Sequence, residues 1–333
     1  TSDYEVYVKK LFANTQAVSV WGGEDGSYDS STGVSSTPEY GKVFISVKST
    51  TGVDLTSTQK DNLVKSLSPD KVASVTPVIV DAETTELILG VTFNFDSSST
   101  TSTGTELASL VNTTLQNYDA SDLQTFNRPF RHSKVLRLID ETDTAILNNT
   151  TTVTMAKKFS PTLSTATSYN INFNNRFYNP VSGYNATGGG IVSSTGFYMN
   201  SVTTIEYFFD DDGSGNLRIY YLVGNTRTYT NSTAGTVDYP TGLIKINSMI
   251  ITGVANVDGA TSSQIRITAL PNSNDIVPVR NQILEIDFTN STITSSVDAT
   301  ATTGKGYTTS TTSAGTTTTT VSTTTSTPSS SAY

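Results

Sequence analysis

The chain of 333 residues has no cysteine, one histidine, one tryptophan and three methionines, and only 15% of its residues are charged. Without cysteine there is no disulfide, no thiolate nucleophile and no cysteine-ligated zinc, so stability must come from burial and assembly. The lone histidine, His132 in "RPFRHSKVL", rules out a two-histidine metal motif. At a helix start beside arginines, it reads as a structural residue. No Ser/His/Asp arrangement can be built without it, and no GxSxG elbow occurs. None of the 29 acidic residues stands in an apolar setting that would raise its pKa for general acid work. No catalytic, cofactor-binding or metal-binding residue is therefore assigned, and an enzyme is not expected. No stretch approaches the ~20 apolar residues of a membrane helix, and "TSDYEVYVKKLFAN" lacks the basic-then-apolar order of a signal peptide. A net charge of -9 repels phosphate backbones and anionic bilayers. Neither nucleic acid nor membrane is an expected partner.

What the chain does have is Ser, Thr, Asn and Gly around a 35% hydrophobic fraction, the balance of a β-rich protein with many polar turns. "YGKVFISVKS" alternates as a strand, with Val43, Ile45 and Val47 on one face. Thr56 and Gln59 have capping-box spacing ahead of a helix with Leu63, Val64 and Leu67 as its apolar stripe. "VASVTPVIVD" and "ELILGVTFNF" read as a hairpin across "AETT". A second capping box, Thr103 with Glu106, opens a helix carrying Leu107, Leu110, Val111, Leu115 and Tyr118. The order strand, helix, strand, strand, helix predicts a ferredoxin-like split βαβ domain. A third helix from about Ser133 and a strand in "TTVTMAKKF" follow, the strand expected to complete that first sheet.

Beyond Pro161 no helical period survives, and "SYNINF", "TTIEYFF", "NLRIYYLV", "GLIKINSMIITG", "SQIRITAL" and "QILEIDF" are the expected strands of an antiparallel domain. From about residue 300 the chain is nearly all Thr, Ser, Gly and Ala, and such a tract builds no core of its own. An extended strand added to a neighbouring subunit would hold it. The expected fold is α+β: an N-terminal segment and loop over 1–39, the split βαβ domain over 40–160, an antiparallel β-rich domain over 161–300, and an extended Thr/Ser-rich tail over 301–333.

Two glycine-rich stretches, "WGGEDG" (Trp21 to Gly26) and "TGGG" (Thr187 to Gly190), lack the lysine and hydroxyl of a phosphate-binding loop and read as ordinary loops. Sequons at Asn112, Asn185 and Asn231 are what chance supplies in a chain of this composition. "FFDDDGSGNLRIYYL" (Phe208 to Leu222) invites a calcium reading, with Asp210, Asp212, Ser214 and Gly215 at the first, third, fifth and sixth positions of a loop. Its twelfth position is Tyr221 instead of glutamate, and the flanks alternate as strands. An acidic hairpin tip is preferred, with positive φ at Gly213 and Gly215; a weak surface cation site at Asp210–Asp212 is the alternative. "VDYPTGLIKI" reads as a second hairpin turning at Pro240 and Gly242, and the two hairpins form a meander with edges and aromatic faces suited to contact.

Taken together, "SVWGGEDGS…PEYGKVFISVKS", "VASVTPVIVD", "FRHSKVLRLIDETDTAILNN" and "DDDGSGNLRIYYL…GTVDYPTGLIKI" resemble the baseplate wedge protein of T-even-type contractile-tailed phages, the gene product six type, and its baseplate-J-like relatives. The resemblance covers roughly residues 15 to 290. It implies a non-enzymatic virion component that dimerises and closes into the ring joining wedges around the hub. It also implies contacts with other wedge proteins, including the sheath initiator, and a part in the rearrangement that triggers sheath contraction. Family members are about twice this length, so Thr1 is expected to begin mid-protein or to follow a cleavage. Two other classes compete: a receptor-binding or adhesin-like tail module binding saccharide through residues 161 to 300, and a tail-associated hydrolase, which would need a converging acid pair.

Overall fold

Parallel strands need a crossover, and residues 42–81 supply one. In the computed structural model, which describes all residues except 1, 30–32, 35–36, 51–53, 68–74, 185–189, 201, 258–259, 299–308, 314–315 and 319–333, β1 (Thr15–Gly22) follows helix α1 (Ser2–Leu11). The short strands β2 (Tyr28–Asp29) and β3 (Gly33–Val34) come next, then β4 (Lys42–Ser49), helix α2 (Ser57–Leu67) and β5 (Thr76–Asp81). β1 runs antiparallel to β4, and β5 runs parallel to β4, Ile45 opposite Ile79. The Thr56–Gln59 capping box forms: Gln59 N donates to Thr56 Oγ1 at 3.3 Å and Thr56 N to Gln59 Oε1 at 2.9 Å. Leu63 and Leu67 then bury against Val43, Ile45 and Val47, joined by Val8 from α1. The opposite face of the sheet carries Trp21 stacked on Phe44 at 5.5 Å and packed with Val80, all three buried.

The expected hairpin between β5 and the next strand does not form. β6 (Glu83–Phe95) joins a different sheet from β5, so the ferredoxin-like split βαβ order is replaced by a three-stranded β1-β4-β5 sheet. "AETT" contains neither Gly, Asn nor Asp to supply the positive φ of a tight hairpin turn, and its two β-branched threonines favour extended backbone. The strand expected in "TTVTMAKKF" is likewise absent from that sheet; it is part of β7 (Ile146–Phe159), whose residues 155–159 pair with β15 (Ile265–Ala269).

The chain divides into two compact units that are not contiguous in sequence: Thr1–Thr85, Gln124–Pro129 and Met155–Leu284 form one, and Glu86–Leu123, Phe130–Thr154 and Glu285–Tyr333 the other. The second unit carries α3 (Gly104–Tyr118), a π-helical turn at Asp119–Leu123, and α4 (His132–Asp140). The Thr103–Glu106 capping box opens α3, and Leu107, Val111, Leu115 and Tyr118 are its buried stripe. Leu110, expected in that stripe, is 45% exposed. Its strands include β6 from residue 86 and β17 (Thr292–Val297), which run parallel, Thr292 opposite Gly90. Buried Ser291 ties them: its hydroxyl accepts from Leu89 N at 2.9 Å and donates to Asp287 O at 2.7 Å. Two tail segments, β18 (Thr309–Ser313) and β19 (Thr316–Thr318), extend this sheet edge in antiparallel pairing, and the remainder of the tail lies outside the described residues.

The β-rich part of the first unit is antiparallel, as expected after Pro161. It comprises β8 (Ala166–Asn172), β9 (Val192–Ser194), β10 (Phe197–Met199), β11 (Val202–Asp211), β12 (Asn216–Val223), β13 (Thr226–Asp238), β14 (Leu243–Val254) and β15, with β16 (Gln282–Ile286) leaving the unit after Leu284. Because β10 pairs with both β11 and β14, the ring β10-β14-β13-β12-β11 closes into a five-stranded barrel. Closure removes the free edges of an open sheet. Phe197, Phe209, Leu217, Ile244, Ile246 and Ile251 are at most 1% exposed, and Phe197 stacks on Phe209 at 4.5 Å.

Gly242 turns the chain between β13 and β14 at φ +74°, and a Cβ there would lie 2.1 Å from Asn175 O. Gly242→Ala should therefore lower stability by roughly 1–3 kcal/mol, read as a drop in the urea midpoint at unchanged m-value.

Candidate interaction site

The hairpin that drew attention in the sequence places its three aspartates in three different environments. β11 and β12 pair in register, Tyr207 with Tyr221, Asp210 with Arg218 and Asp211 with Leu217, and Gly213 and Gly215 in the connecting loop have φ of +72° and +106°. The hairpin is as expected; the acidic tip is not. Asp210 and Asp211 have no exposed surface.

Asp210 is held from two strands. Arg218 on β12 donates to it from Nε (2.9 Å to Oδ1) and Nη2 (3.2 Å to Oδ2), and its Nη2 also reaches Asp211 O at 2.6 Å. From β13, Arg227 Nη1 and Tyr229 Oη donate to Oδ2 at 2.7 and 2.8 Å. The alternation of strands puts Phe208, Asp210, Arg218, Tyr220, Arg227 and Tyr229 on one face. Phe208 stacks on Tyr220 at 5.5 Å, Arg218 lies 4.3 Å over Tyr229 and Arg227 4.7 Å over Tyr220. Such cation–π contacts strengthen when desolvated. Burial raises the Tyr220 and Tyr229 hydroxyls, reinforced at both by the Asp210 charge and at Tyr229 by its hydrogen bond to Asp210. Both stay protonated, and Tyr229 stays a donor.

Asp211 accepts from Val192 N at 2.8 Å, Gly213 N at 3.2 Å and Tyr239 Oη at 2.7 Å. Burial first, then this bond to Asp211, raises the Tyr239 hydroxyl far above its ordinary value. Asp212 is the only one of the three at the tip: its carboxylate accepts from Ser214 N at 2.7 Å, Asn216 N at 3.0 Å and Asn216 Nδ2 at 2.6 Å. Burial alone would raise its pKa, but the Asn216 and Ser214 donors and the Arg218 charge outweigh that and hold it below 3.8. The carboxylates are thus engaged by guanidinium, phenol and amide donors. Among the described residues no group of three or more His, Cys, Asp or Glu is arranged to hold a metal ion.

The other candidates fall apart as sites. His132 begins α4, and its Nε2 is 2.7 Å from Thr151 O, a backbone contact. "WGGEDG" is the end of β1 plus one 3₁₀ turn at Gly23–Asp25, with no helix behind it to bind phosphate. Asn112 lies in α3 and Asn231 in β13; Asn185 and residues 187–189 of "TGGG" lie outside the described residues.

Strand β13, which supplies Arg227 and Tyr229, was not among the expected strands. Its signal was the Gly224-Asn225 pair between "NLRIYYLV" and "TRTYT", a two-residue loop with Gly at its first position and φ +61°. At this hairpin's end Leu222 and Val223 are 48% and 59% exposed. The β13–β14 ladder is confined to Gly235–Asp238, so residues 226–231 are bonded to β12 alone among the described pairings. A cavity of about 440 Å³ is lined from all five barrel strands, by Met199, Tyr207, Ile219, Asn231, Met249 and Ile250 among others. These features suit contact with another protein better than chemistry on a small substrate.

Comparison with known families agrees. Residues 1–80 match the family described as baseplate structural protein gp6, C-terminal domain I, and residues 88–158 match baseplate structural protein gp6, C-terminal domain III. These two matches, in order along the chain, support a gp6-type baseplate structural protein, C-terminal part. Both matched families are baseplate structural components, which supports a non-enzymatic place in the tail baseplate of the phage virion, in association with other baseplate proteins. No curated protein matches the chain.

Asp210→Ala leaves Arg218, 7% exposed, without its buried counter-charge and should cost about 3–5 kcal/mol. Arg227→Ala, at a side chain 29% exposed, should cost about 1 kcal/mol; equal losses in urea titrations of the two variants would contradict the assigned roles. Because the folded pKa of Asp212 is depressed, its contribution is present above the unfolded value and is lost as pH falls through the folded one. The stability difference between wild type and Asp212→Asn should therefore shrink as pH is lowered below 3.8, and a pH-independent difference would count against the depression.

Proposed function

We propose that this chain is the ring-forming part of a contractile-tail baseplate wedge, pairing with a second copy and joining neighbouring wedges around the hub. The observation that carries this reading is the ordered match of residues 1–80 and 88–158 to two C-terminal domains of one baseplate protein. The closed barrel supports it, because a rigid block with an exposed apolar hairpin end can move as a body while its contacts change. Rigid-body rotation at such interfaces is the proposed contribution to triggering sheath contraction. Contact with the sheath initiator belongs to the same proposal.

The test is the mass of the full chain in solution by sedimentation equilibrium. A dimer that dissociates on dilution is expected; a strict monomer at high micromolar concentration would contradict self-pairing.

A further inference from the structure

Closure of the barrel is local on β13. Its ladder to β14 covers only Gly235–Asp238, while Thr226, Arg227, Thr228 and Tyr229 pair in unbroken register with Val223, Leu222, Tyr221 and Tyr220 of β12. Among the described residues no strand pairs with the other edge of these four. Such an edge presents unpaired N–H and C=O groups, and proteins that stay apart blunt it with lysine, proline or a covering segment. Residues 226–229, "TRTY", contain neither lysine nor proline, and the charge of Arg227 is turned to Asp210.

The residues of this edge select its occupant. Opposite residues of an antiparallel pair lie on the same face of the sheet, so a strand that meets a copy of itself across a two-fold axis has that axis at a residue position. An axis at Thr226 runs the ladder into the Gly224-Asn225 loop, and one at Arg227 sets two guanidinium groups opposite each other, which repel. An axis at Tyr229 sets Arg227 opposite Asn231, which lies beyond a register shift and on the other face, paired with Ile219. Only an axis at Thr228 uses regular positions throughout. Thr228 then meets Thr228, and Arg227 of each copy meets Tyr229 of the other, a favourable cross-strand pair that covers the exposed Tyr229 ring. On that face the row Tyr220, Tyr229 of one copy continues into Arg227, Leu222 of the other, extending the stack that Arg227 and Tyr220 form within each chain.

We propose that β13 pairs antiparallel with β13 of a second copy of this chain, with the two-fold axis at Thr228. This rests on the self-pairing proposed above and names one of its contacts. The regular ladder takes three residues from each copy, far less than the ~1,600 Å² of a stable interface, so the pairing is a weak contact that operates at the high local concentration of an assembly.

The absence of native cysteine makes the test direct. With the axis at Thr228, the two Thr228 Cα atoms are about 4.5–5.5 Å apart, inside the disulfide range. The two Thr226 positions are offset by four residues, roughly 13 Å at ~3.4 Å per residue, and lie outside it. Full Thr228→Cys and Thr226→Cys chains, each with the wild-type urea midpoint, are oxidised at rising concentration and run on a non-reducing gel, beside sedimentation equilibrium of the wild type. The expected result is a dimer-mass band for Thr228→Cys that grows with concentration and is about tenfold stronger than for Thr226→Cys, although Thr226 is exposed and Thr228 half-buried. A Thr226→Cys band as strong as that of Thr228→Cys overturns the pairing, because collision alone would then account for both. A wild-type dimer by mass with no Thr228→Cys band overturns this contact and leaves self-pairing intact, and a strict monomer with no band overturns both.

Discussion

Asp210 is the point on which the barrel's outer face depends. A carboxylate with no exposed surface would lose several kcal/mol of hydration unless every lone pair found a donor. Here two guanidinium groups and a phenol supply them from β12 and β13. The same donors are stacked on Tyr220 and Tyr229, so ionic, hydrogen-bonding and aromatic contacts act on the same side chains. One acid thereby holds three consecutive strands in register, because a slip of one residue would turn Arg218 or Arg227 to the opposite face.

That lattice explains how a chain poor in charge and free of disulfides makes a firm block. Inside the barrel Phe197, Phe209 and Ile251 fill the core; outside, the Asp210 cluster takes the role a second apolar layer would have. Asp211 and Tyr239 fasten the hairpin end, and Asp212 closes its loop. The result is a densely bonded surface, with apolar atoms left exposed at Leu222 and Val223.

Much of this was legible in the residues. Both capping boxes, the Phe208–Leu222 hairpin and the β-rich character after Pro161 are local features, set by spacing and turn chemistry over a few positions. What was not legible is pairing between distant segments. Whether "TPVIVD" lies beside "KVFISVKS" or beside "ELILGVTFNF" depends on tertiary packing, and the parallel choice follows from the α2 crossover. Burial of Asp210 was hidden for a related reason. Its partners Arg227 and Tyr229 sit in "TRTYTNSTAGTVD", a strand whose polar composition imitates a loop.

The most direct measurement is a double-mutant cycle on the full chain combining Asp210→Asn and Arg227→Met, followed by urea unfolding. If one carboxylate ties β11 to β13 across β12, the two changes should be coupled by about 1–3 kcal/mol in favour of the native pair. Additive losses, with coupling indistinguishable from zero, would contradict the claim that Asp210 holds these strands together.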